Sequence, residues 1–93
     1  MAKIYVVNSK SQADFSAYLV NSTSKADLLV YEVNQQSLAK GDAKWYYVNS
    51  KSLADSKIYW VKYESQADIK LMFVKHQSHA EWKKSHNLRG RIG

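Results

Sequence analysis

The side chains that could do chemistry in this chain recur in a short motif, Ser-x-Ala-Asp, and its close variants. A serine stands two residues before an alanine in six places, at Ser11, Ser24, Ser37, Ser52, Ser65 and Ser78. The residue after the alanine is acidic in five of them, Asp14, Asp27, Asp55, Asp68 and Glu81, and is Lys40 in the third. Hydroxyls and carboxylates are the groups of nucleophilic and acid–base catalysis. A catalytic group occurs once, however, and no histidine precedes His76 to activate a serine, so we expect no catalytic site and no enzyme.

Residue types that bind metals are also present. One acid per motif supplies too few oxygen ligands for a ladder of calcium sites, and the chain has only three glycines for their turns. His76, His79 and His86 lie late in the sequence near Glu81, and these groups are ligands for zinc or nickel. His76 and His79 take positions that hold residues such as Ser, Lys, Gln or Leu elsewhere. We interpret them as exposed corner residues and expect no metal and no cofactor, with a metal site as the alternative.

A set of basic residues could bind a polyanion such as a nucleic acid. Four lysines begin predicted strands at one repeat position and four further cations lie near the C-terminus: Lys3, Lys44, Lys57, Lys70, Lys83, Lys84, Arg89 and Arg91. Such residues neutralise phosphates, and Tyr47, Trp60 or Phe73, if exposed, could stack on bases. In the alternative interpretation the lysines solvate strand ends and protect strand edges, and the aromatic residues belong to the core.

The distribution of charge argues against a broad basic face. The net charge of +6 divides into ten lysines against eight acids over residues 1–81, and four cations with no acid over residues 82–93. Most of the excess therefore lies in a short segment. We predict a repeat domain over residues 1–82 and a basic C-terminal tail over residues 83–93.

The composition predicts one small globular domain. The chain has 93 residues, of which 45% are hydrophobic, and no cysteine, so packing has to stabilise it without disulfides or a cysteine-bound zinc. No apolar run approaches the ~20 residues that cross a bilayer, and the N-terminus has no signal-peptide pattern. We expect a soluble, cytoplasmic monomer that does not enter membranes.

The element that positions the recurring motif is a tandem repeat. Six related segments begin with valine, 13, 13, 15, 13 and 13 residues apart: VNSKSQAD, VNSTSKAD, VNQQSLAK, VNSKSLAD, VKYESQAD and VKHQSHAE. Gly41 and Asp42 make the longer step. A unit this short cannot bury its own apolar face, so neighbouring repeats must share one core.

Each repeat opens with a predicted strand and continues into a polar corner. The strand segments are KIYVV, SAYLV, LVYEV, KWYYV, KIYWV and KLMFV, rich in residues that favour sheets. The invariant valine predicts the most enclosed position, and the bulkier later strands predict that early repeats are peripheral. In the corner, Ser9 and Gln12 have the spacing of a capping box, and the alanine indicates a packing position for a methyl group.

The corner length limits the topology. Seven or eight residues are too few for an ordinary crossover between parallel strands, which needs about a dozen. We therefore expect successive strands to run antiparallel or to turn through an angle. The predicted fold class is a β-rich α+β domain of six strand-plus-short-helical-corner repeats.

These segments resemble a known family, the septoil-knot domain. The resemblance covers residues 3–82 and rests on YVVNSKSQAD, YLVNSTSKAD, YEVNQQSLAK, YYVNSKSLAD, YWVKYESQAD and MFVKHQSHAE. Family members are small bacterial proteins whose backbone winds into a seven-crossing torus knot. The third repeat departs most, with Gln35, Gln36 and Lys40. The resemblance implies a knotted repeat domain and carries no activity onto named residues.

Function is predicted only by class. The leading hypothesis is a stable non-enzymatic module that binds a protein or peptide through a strand edge or an aromatic patch. The alternative is a nucleic acid or other polyanion bound through the lysine row and the basic tail. Steep salt dependence distinguishes the second from the first.

Overall fold

The computed structural model describes residues 2–92, and Met1 and Gly93, the outermost residues of the two predicted segments, lie outside them. It contains seven strands: β1 (Ala2–Val6), β2 (Phe15–Leu19), β3 (Leu28–Glu32), β4 (Lys44–Tyr47), β5 (Ser56–Trp60), β6 (Ile69–Phe73) and β7 (Glu81–Trp82). Single 3₁₀ turns follow five of the strands: Lys10–Gln12, Gln36–Leu38, Lys51–Leu53, Glu64–Gln66 and Gln77–His79. Within residues 2–92 there is no α-helix, so α+β overstates the helical content of a β-rich domain.

Strands β1 to β6 close into a ring in the order β1–β5–β2–β6–β3–β4, and β4 pairs back with β1. All six pairs in the ring are parallel, and β7 joins β3 in antiparallel orientation. The expectation that successive strands run antiparallel is therefore wrong. The first three strands alternate with the next three, and a closed ring has no edge strand, so the expectation that early repeats are peripheral is also wrong.

The register explains why a short corner suffices. Val6 at the end of β1 lies opposite Ile58 of β5, and Ile58 lies opposite Phe15, the first residue of β2. The end of β1 is thus level with the start of β2, two strands away. The corner only has to cross about 10 Å sideways, because neighbouring strands are about 4.8 Å apart. It does not return along the strand, so the length rule for ordinary crossovers does not apply.

The longer third connection has a topological reason. Each connection skips one position in the ring, except that β3 leads to its immediate neighbour β4. A third skipping step would bring β4 back to the position of β1, so this step has to differ. It contains the extra Gly41 and Asp42, and Gly41 adopts a φ of 69°, which glycine allows at little cost. The insertion therefore shifts the second round of strands, β4 to β6, into the positions between those of the first round, β1 to β3.

The core fills the ring from one face of each strand. The middle inward residues are fully buried in all six strands: Ile4, Ala17, Val30, Trp45, Ile58 and Leu71. Neighbouring strands are offset by two residues, and an even offset keeps the same alternate face inside. The invariant valine lies on the outer face, and only Val7 is fully buried there. The prediction that valine is the most enclosed position is therefore wrong.

The corners are held by backbone bonds. In the first corner the Gln12 and Ala13 N–H groups donate to the Ser9 and Lys10 carbonyls. No side chain caps the 3₁₀ turn, so the capping-box prediction is wrong, and the Ser9 hydroxyl lies 2.9 Å from that of Ser11 instead. The recurring alanine is buried or half-buried in all six corners, which is consistent with a small packing position.

The two rims of the ring differ. Because all six strands run in one direction, their first residues form an N-terminal rim and their last residues form a C-terminal rim. Residues after β7 cross the N-terminal rim, where Ile92 is 1% exposed and Leu88 packs against the core. Ser56 of β5 donates from its hydroxyl to the Ile92 carbonyl at 2.6 Å. The chain thus closes its own N-terminal rim.

Candidate functional site

The recurring aspartates hold the ring together. Four aspartates lie on the N-terminal rim, each directly before the first residue of a strand: Asp14, Asp27, Asp55 and Asp68. Their carboxylates accept the backbone N–H of a residue in another strand, in the pairs Asp14–Lys57, Asp27–Lys70, Asp55–Lys3 and Asp68–Ser16. The N–H of each aspartate donates back to the carbonyl of the same partner. These acids are occupied by a structural task, which supports the structural interpretation of the motif.

The exceptions in the acidic series follow from the same geometry. In the other four corners, the acid binds the strand that comes next in the ring, at the residue four positions before the recurring valine. For Lys40 that residue would be Lys44, only four residues further along the chain. The chain itself already connects these two, so the position needs no acid. At the last position, Glu81 lies opposite Leu29 in the antiparallel β3–β7 pair, and the sheet bonds replace the side-chain bond.

Asp42, from the insertion, binds the C-terminal segment. Its carboxylate accepts the Trp82 indole N–H at 3.1 Å, the Ile92 N–H at 3.1 Å and the N–H of Gly90. The insertion therefore has two tasks, to shift the winding and to anchor the segment that closes the N-terminal rim.

The three histidines are divided between two places. The rings of His76 and His79 meet edge-to-face with centroids 5.3 Å apart in the last corner. His86 lies on the N-terminal rim, where its Nε2 is 2.8 Å from the Asp68 carbonyl and its Nδ1 accepts the Leu88 N–H at 3.1 Å. Over residues 2–92, no three metal-binding side chains come together. The predicted alternative of a site shared by all three has no geometric basis.

The predicted lysine row is real but interrupted. Lys44, Lys3 and Lys57 lie on the adjacent strands β4, β1 and β5, whereas Lys70 on β6 is separated from them by Ser16 of β2. Carboxylates alternate with these cations, because Asp55 binds the Lys3 backbone and Asp14 binds that of Lys57. The Lys57 ammonium lies 3.9 Å from Asp14. This neighbourhood reduces the attraction of the row for a polyanion.

The basic tail lies at the same rim as the row. Lys83 and Lys84 follow β7, with both N–H groups directed to the Asp27 carbonyl, and Arg89 and Arg91 flank Gly90, which Asp42 binds. All four side chains belong to exposed residues. Docking of the segment therefore brings all eight predicted cations to the N-terminal rim, together with the five aspartates that precede the strands.

The exposed apolar residues lie at strand ends and in the corners. The large apolar side chains more than a third exposed are strand-end residues Val6, Leu19 and Tyr47 and corner residues Leu38, Leu53 and Tyr63. The first three end their strands at the C-terminal rim, and the other three lie in the connections between strands. Leu38, Tyr47 and Leu53 belong to the neighbouring strands β3 and β4 and the corners that follow them, and we call these three the apolar rim patch.

An acid–phenol pair borders this patch. Glu32 ends β3 beside Tyr47, and the Tyr47 hydroxyl donates a hydrogen bond to the Glu32 carboxylate. Burial of the phenol raises the pKa of Tyr47 above its usual 10.0, and the charge of Glu32 and the bond to it act in the same direction. Behind the pair, the Trp45 ring packs edge-to-face against the rings of Tyr47 and Phe73, with ring centroids 6.4 and 6.1 Å apart. The centroids of Phe73 and Trp60 are also 6.1 Å apart. These aromatic rings pack together beneath the patch.

Sequence reasoning found the rim aromatics but missed the leucines. Tyr47, Trp60 and Phe73 were named as residues that could stack on bases if exposed, with core positions as the alternative, and of these Tyr47 is the most exposed, at 38%. Leu38 and Leu53, at 41% and 55%, were passed over as ordinary corner residues. The signal that could have found them is a leucine in a polar corner where other repeats carry Gln12, Lys25 or Gln66.

Four similar shallow clefts lie between neighbouring corners, each of about 300 to 420 Å³. Each is lined by the tyrosine, valine and asparagine around one strand end and by a residue of the corner that follows that strand. A residue of the corner beside it in space completes the lining. The asparagines are Asn8, Asn21, Asn34 and Asn49. The clefts at β3 and β4 include Leu38 and Leu53, while those at β1 and β2 have Gln12 and Lys25 instead.

These features define the class of protein: a closed parallel β-ring of repeated strand-and-corner units whose recurring polar residues stabilise the fold. Residues 1–83 match the family model described as the 7(1) septoil knot domain, and the chain belongs to that family. No curated protein and no solved structure matches the chain. Within residues 2–92, no helix is long and apolar enough to span a membrane.

Proposed function

We propose that this chain is a non-enzymatic module that binds a protein partner through the apolar rim patch. The single observation that carries the proposal is the exposure of apolar side chains at the end of β4 and in the corners after β3 and β4. The N-terminal rim is closed by the chain's own residue Ile92, whereas Leu38, Tyr47 and Leu53 are between 38% and 55% exposed. Clustered exposed apolar side chains are typical of protein interaction sites.

The partner should offer an apolar surface with a cation near its centre. Trp45 packs edge-to-face against the Tyr47 ring and is itself backed by Phe73, so the Tyr47 ring is pre-organised and loses little side-chain entropy on binding. Glu32 beside Tyr47 is the one acid at the inward-facing strand ends, and a partner lysine or arginine would pair with it.

The test is a selection of displayed fragments from the proteome in which the chain occurs, followed by calorimetric titration of the enriched binders. We expect the double variant Leu38→Lys/Leu53→Lys to bind at least tenfold more weakly, and Lys84→Glu on the opposite rim to bind as the parent does. Affinity should change little between about 50 and 200 mM salt, because burial of apolar surface supplies it. Binders that keep their affinity for the double variant would exclude the patch.

A second candidate function is binding of a polyanion at the N-terminal rim. The observation in its favour is that the docked segment gathers Lys83, Lys84, Arg89 and Arg91 at the rim where the lysine row begins. Fluorescence polarisation with single- and double-stranded oligonucleotides tests it, with the parent beside Lys83→Glu/Lys84→Glu. Micromolar binding that falls steeply between about 50 and 200 mM salt and is lost in the variant supports it. Absence of binding at the lower salt concentration rejects it.

We also propose that the chain is threaded as the description of its family says, and that it is a cytoplasmic monomer. The interleaved winding, in which strands of the second round enter between those of the first, supports the threading. Sedimentation analysis tests the monomer, and a dimer lost on Leu53→Lys would instead make a second copy the occupant of the patch.

A further inference from the structure

The clefts at the ends of β1 and β2 combine polar and apolar residues and contain no member of the apolar rim patch. The first is lined by Tyr5, Val6, Val7, Asn8, Gln12 and Lys51, with a volume of about 420 Å³. The second, of about 300 Å³, has the equivalent lining: Tyr18, Leu19, Val20, Asn21, Lys25 and Glu64. In both, an aromatic ring and an asparagine occupy corresponding places.

The asparagines in these clefts have no structural task. Recurring aspartates bind strand backbones and recurring serines bind one another, but among residues 2–92 no hydrogen bond engages the Asn8 or Asn21 side chain. The chain contains its own control, because the corner after β5 has Lys62 at this position. Its 3₁₀ turn starts with φ −127° and ψ 136° at Tyr63, close to the −144° and 131° at Ser9. The fold therefore does not require asparagine here.

The tyrosines add a second group available to a ligand. Tyr5 and Tyr18 lie on the outer face of the ring and are half-buried, so their rings are fixed while part of the surface remains open. Among residues 2–92 neither hydroxyl makes a hydrogen bond within the chain. An apolar ring face beside a phenol and a carboxamide offers stacking together with paired donors and acceptors.

Neither cleft carries more than one net charge: the cleft at β2 is neutral overall, and the cleft at β1 has one cation, whose ammonium is already bonded within the chain. In the cleft at β1 the Lys51 ammonium donates to the Gln12 carbonyl oxygen at 3.1 Å, and the lining has no acid. In the cleft at β2, Lys25 and Glu64 have opposite charges. Neutral ligands that combine adjacent hydroxyls with an apolar face are saccharides. We propose that these two clefts each bind one saccharide unit, with Asn8 or Asn21 bound to ring hydroxyls and Tyr5 or Tyr18 against the ring face.

The test is NMR titration of the ¹⁵N-labelled full chain with glucose, galactose, mannose and N-acetylglucosamine. Each sugar is taken to about 50 mM, because open sites with few contacts bind in the millimolar range. We expect at least one sugar to shift the side-chain amide signals of Asn8 and Asn21 with saturation. Absence of shifts with all four sugars, or shifts confined to other residues, would overturn the proposal.

The matched variants use the residue that the fold already accepts at this position. Asn8→Lys/Asn21→Lys places lysine where the corner after β5 has Lys62, so the turns should form, and sugar affinity should fall at least tenfold. Asn34→Lys, in the cleft that contains Leu38, is the control and should leave binding unchanged. Equal binding by the double variant would contradict the proposal. The clefts that contain Asn8 and Asn21 include no residue of the apolar rim patch, so the saccharide sites and the protein-binding function can fail separately.

Discussion

Asp68 and Ser16, 52 residues apart in the chain, hold each other by reciprocal hydrogen bonds. The Ser16 N–H donates to the Asp68 carboxylate at 2.9 Å, and the Asp68 N–H donates to the Ser16 carbonyl at 2.9 Å. The Ser16 hydroxyl adds a bond of 3.2 Å to the same carboxylate, and Ser16 is 1% exposed. The same reciprocal pair of hydrogen bonds recurs at three further places around the ring, so the acidic residue of the motif links parts of the chain that are distant in sequence.

Substitution of Asp68 should destabilise the domain. In Asp68→Ala the buried Ser16 N–H loses its acceptor, and bonds to charged groups contribute about 1.5–3 kcal/mol. We expect the free energy of unfolding, measured in urea, to fall by about that amount. Glu64→Ala, which removes an exposed acid four residues earlier, should change it by less than about 0.5 kcal/mol. Equal effects of the two substitutions would mean that the reciprocal bonds do not stabilise the ring.

Loss of the Asp42 carboxylate should release the C-terminal segment. Asp42→Ala removes the acceptor for Trp82, Gly90 and Ile92, and a change of about 1.4 kcal/mol in the opening equilibrium multiplies the open population tenfold. We expect trypsin to cut after Arg89 and Arg91 at least ten times faster than in the parent. Lys40→Ala, in the same connection, is the control, since Lys40 is exposed. An unchanged cleavage rate in Asp42→Ala would rule out the anchoring role.

Ile92 should stabilise the core although it lies beyond the residues that match the family model. It is 1% exposed and packs with the inward-facing residues of the strands. Replacement of a buried isoleucine by alanine costs about 2–5 kcal/mol. We expect Ile92→Ala to lower the urea midpoint accordingly, while the neighbouring Arg91→Ala leaves it nearly unchanged. A small effect of Ile92→Ala would show that the segment is a loose cover rather than part of the core.

Tyr47 should make stability fall at high pH. Its pKa is raised in the folded chain by burial and by Glu32, so above pH 10.0 the unfolded chain loses this proton first. The contribution is complete below pH 10.0 and declines as the pH rises above it. We expect the urea midpoint to fall more between pH 8 and pH 11 for the parent than for Tyr47→Phe, which has no phenolic proton. Parallel declines would contradict the raised pKa.

The sequence predicted the β-rich fold and the family, because these depend on local pattern and on recurrence. It failed where the decisive contacts are remote. The valine was predicted to be the most enclosed position because it is invariant, yet only Val7 is buried and the other five are half-buried on the outer face. Antiparallel order was expected because the length of a corner does not reveal that Val6 and Phe15 are level across β5.

The candidate site was only partly accessible from sequence. The eight cations were found from their types and positions, but the acids that lie among them come from corners 43 to 52 residues away, as Asp14 and Asp55 do. The apolar rim patch depends on β3 and β4 being neighbours in the ring, and nothing local to Leu38 or Leu53 specifies that. The structure thus shifts the proposed protein-binding surface from a strand edge or an aromatic patch to the apolar rim patch.

The strand pairing divides the chain into two halves, and neither half can form the ring's backbone hydrogen bonds without the other. Each of β1, β2 and β3 forms its sheet bonds only with strands that follow residue 43. During synthesis, which usually lets N-terminal parts fold first, the initial forty residues have no partner strand until the second half leaves the ribosome. Folding must therefore wait for nearly the whole polypeptide. A truncated translation product would expose three unpaired strands, which makes it a substrate for chaperones and proteases rather than a smaller working domain.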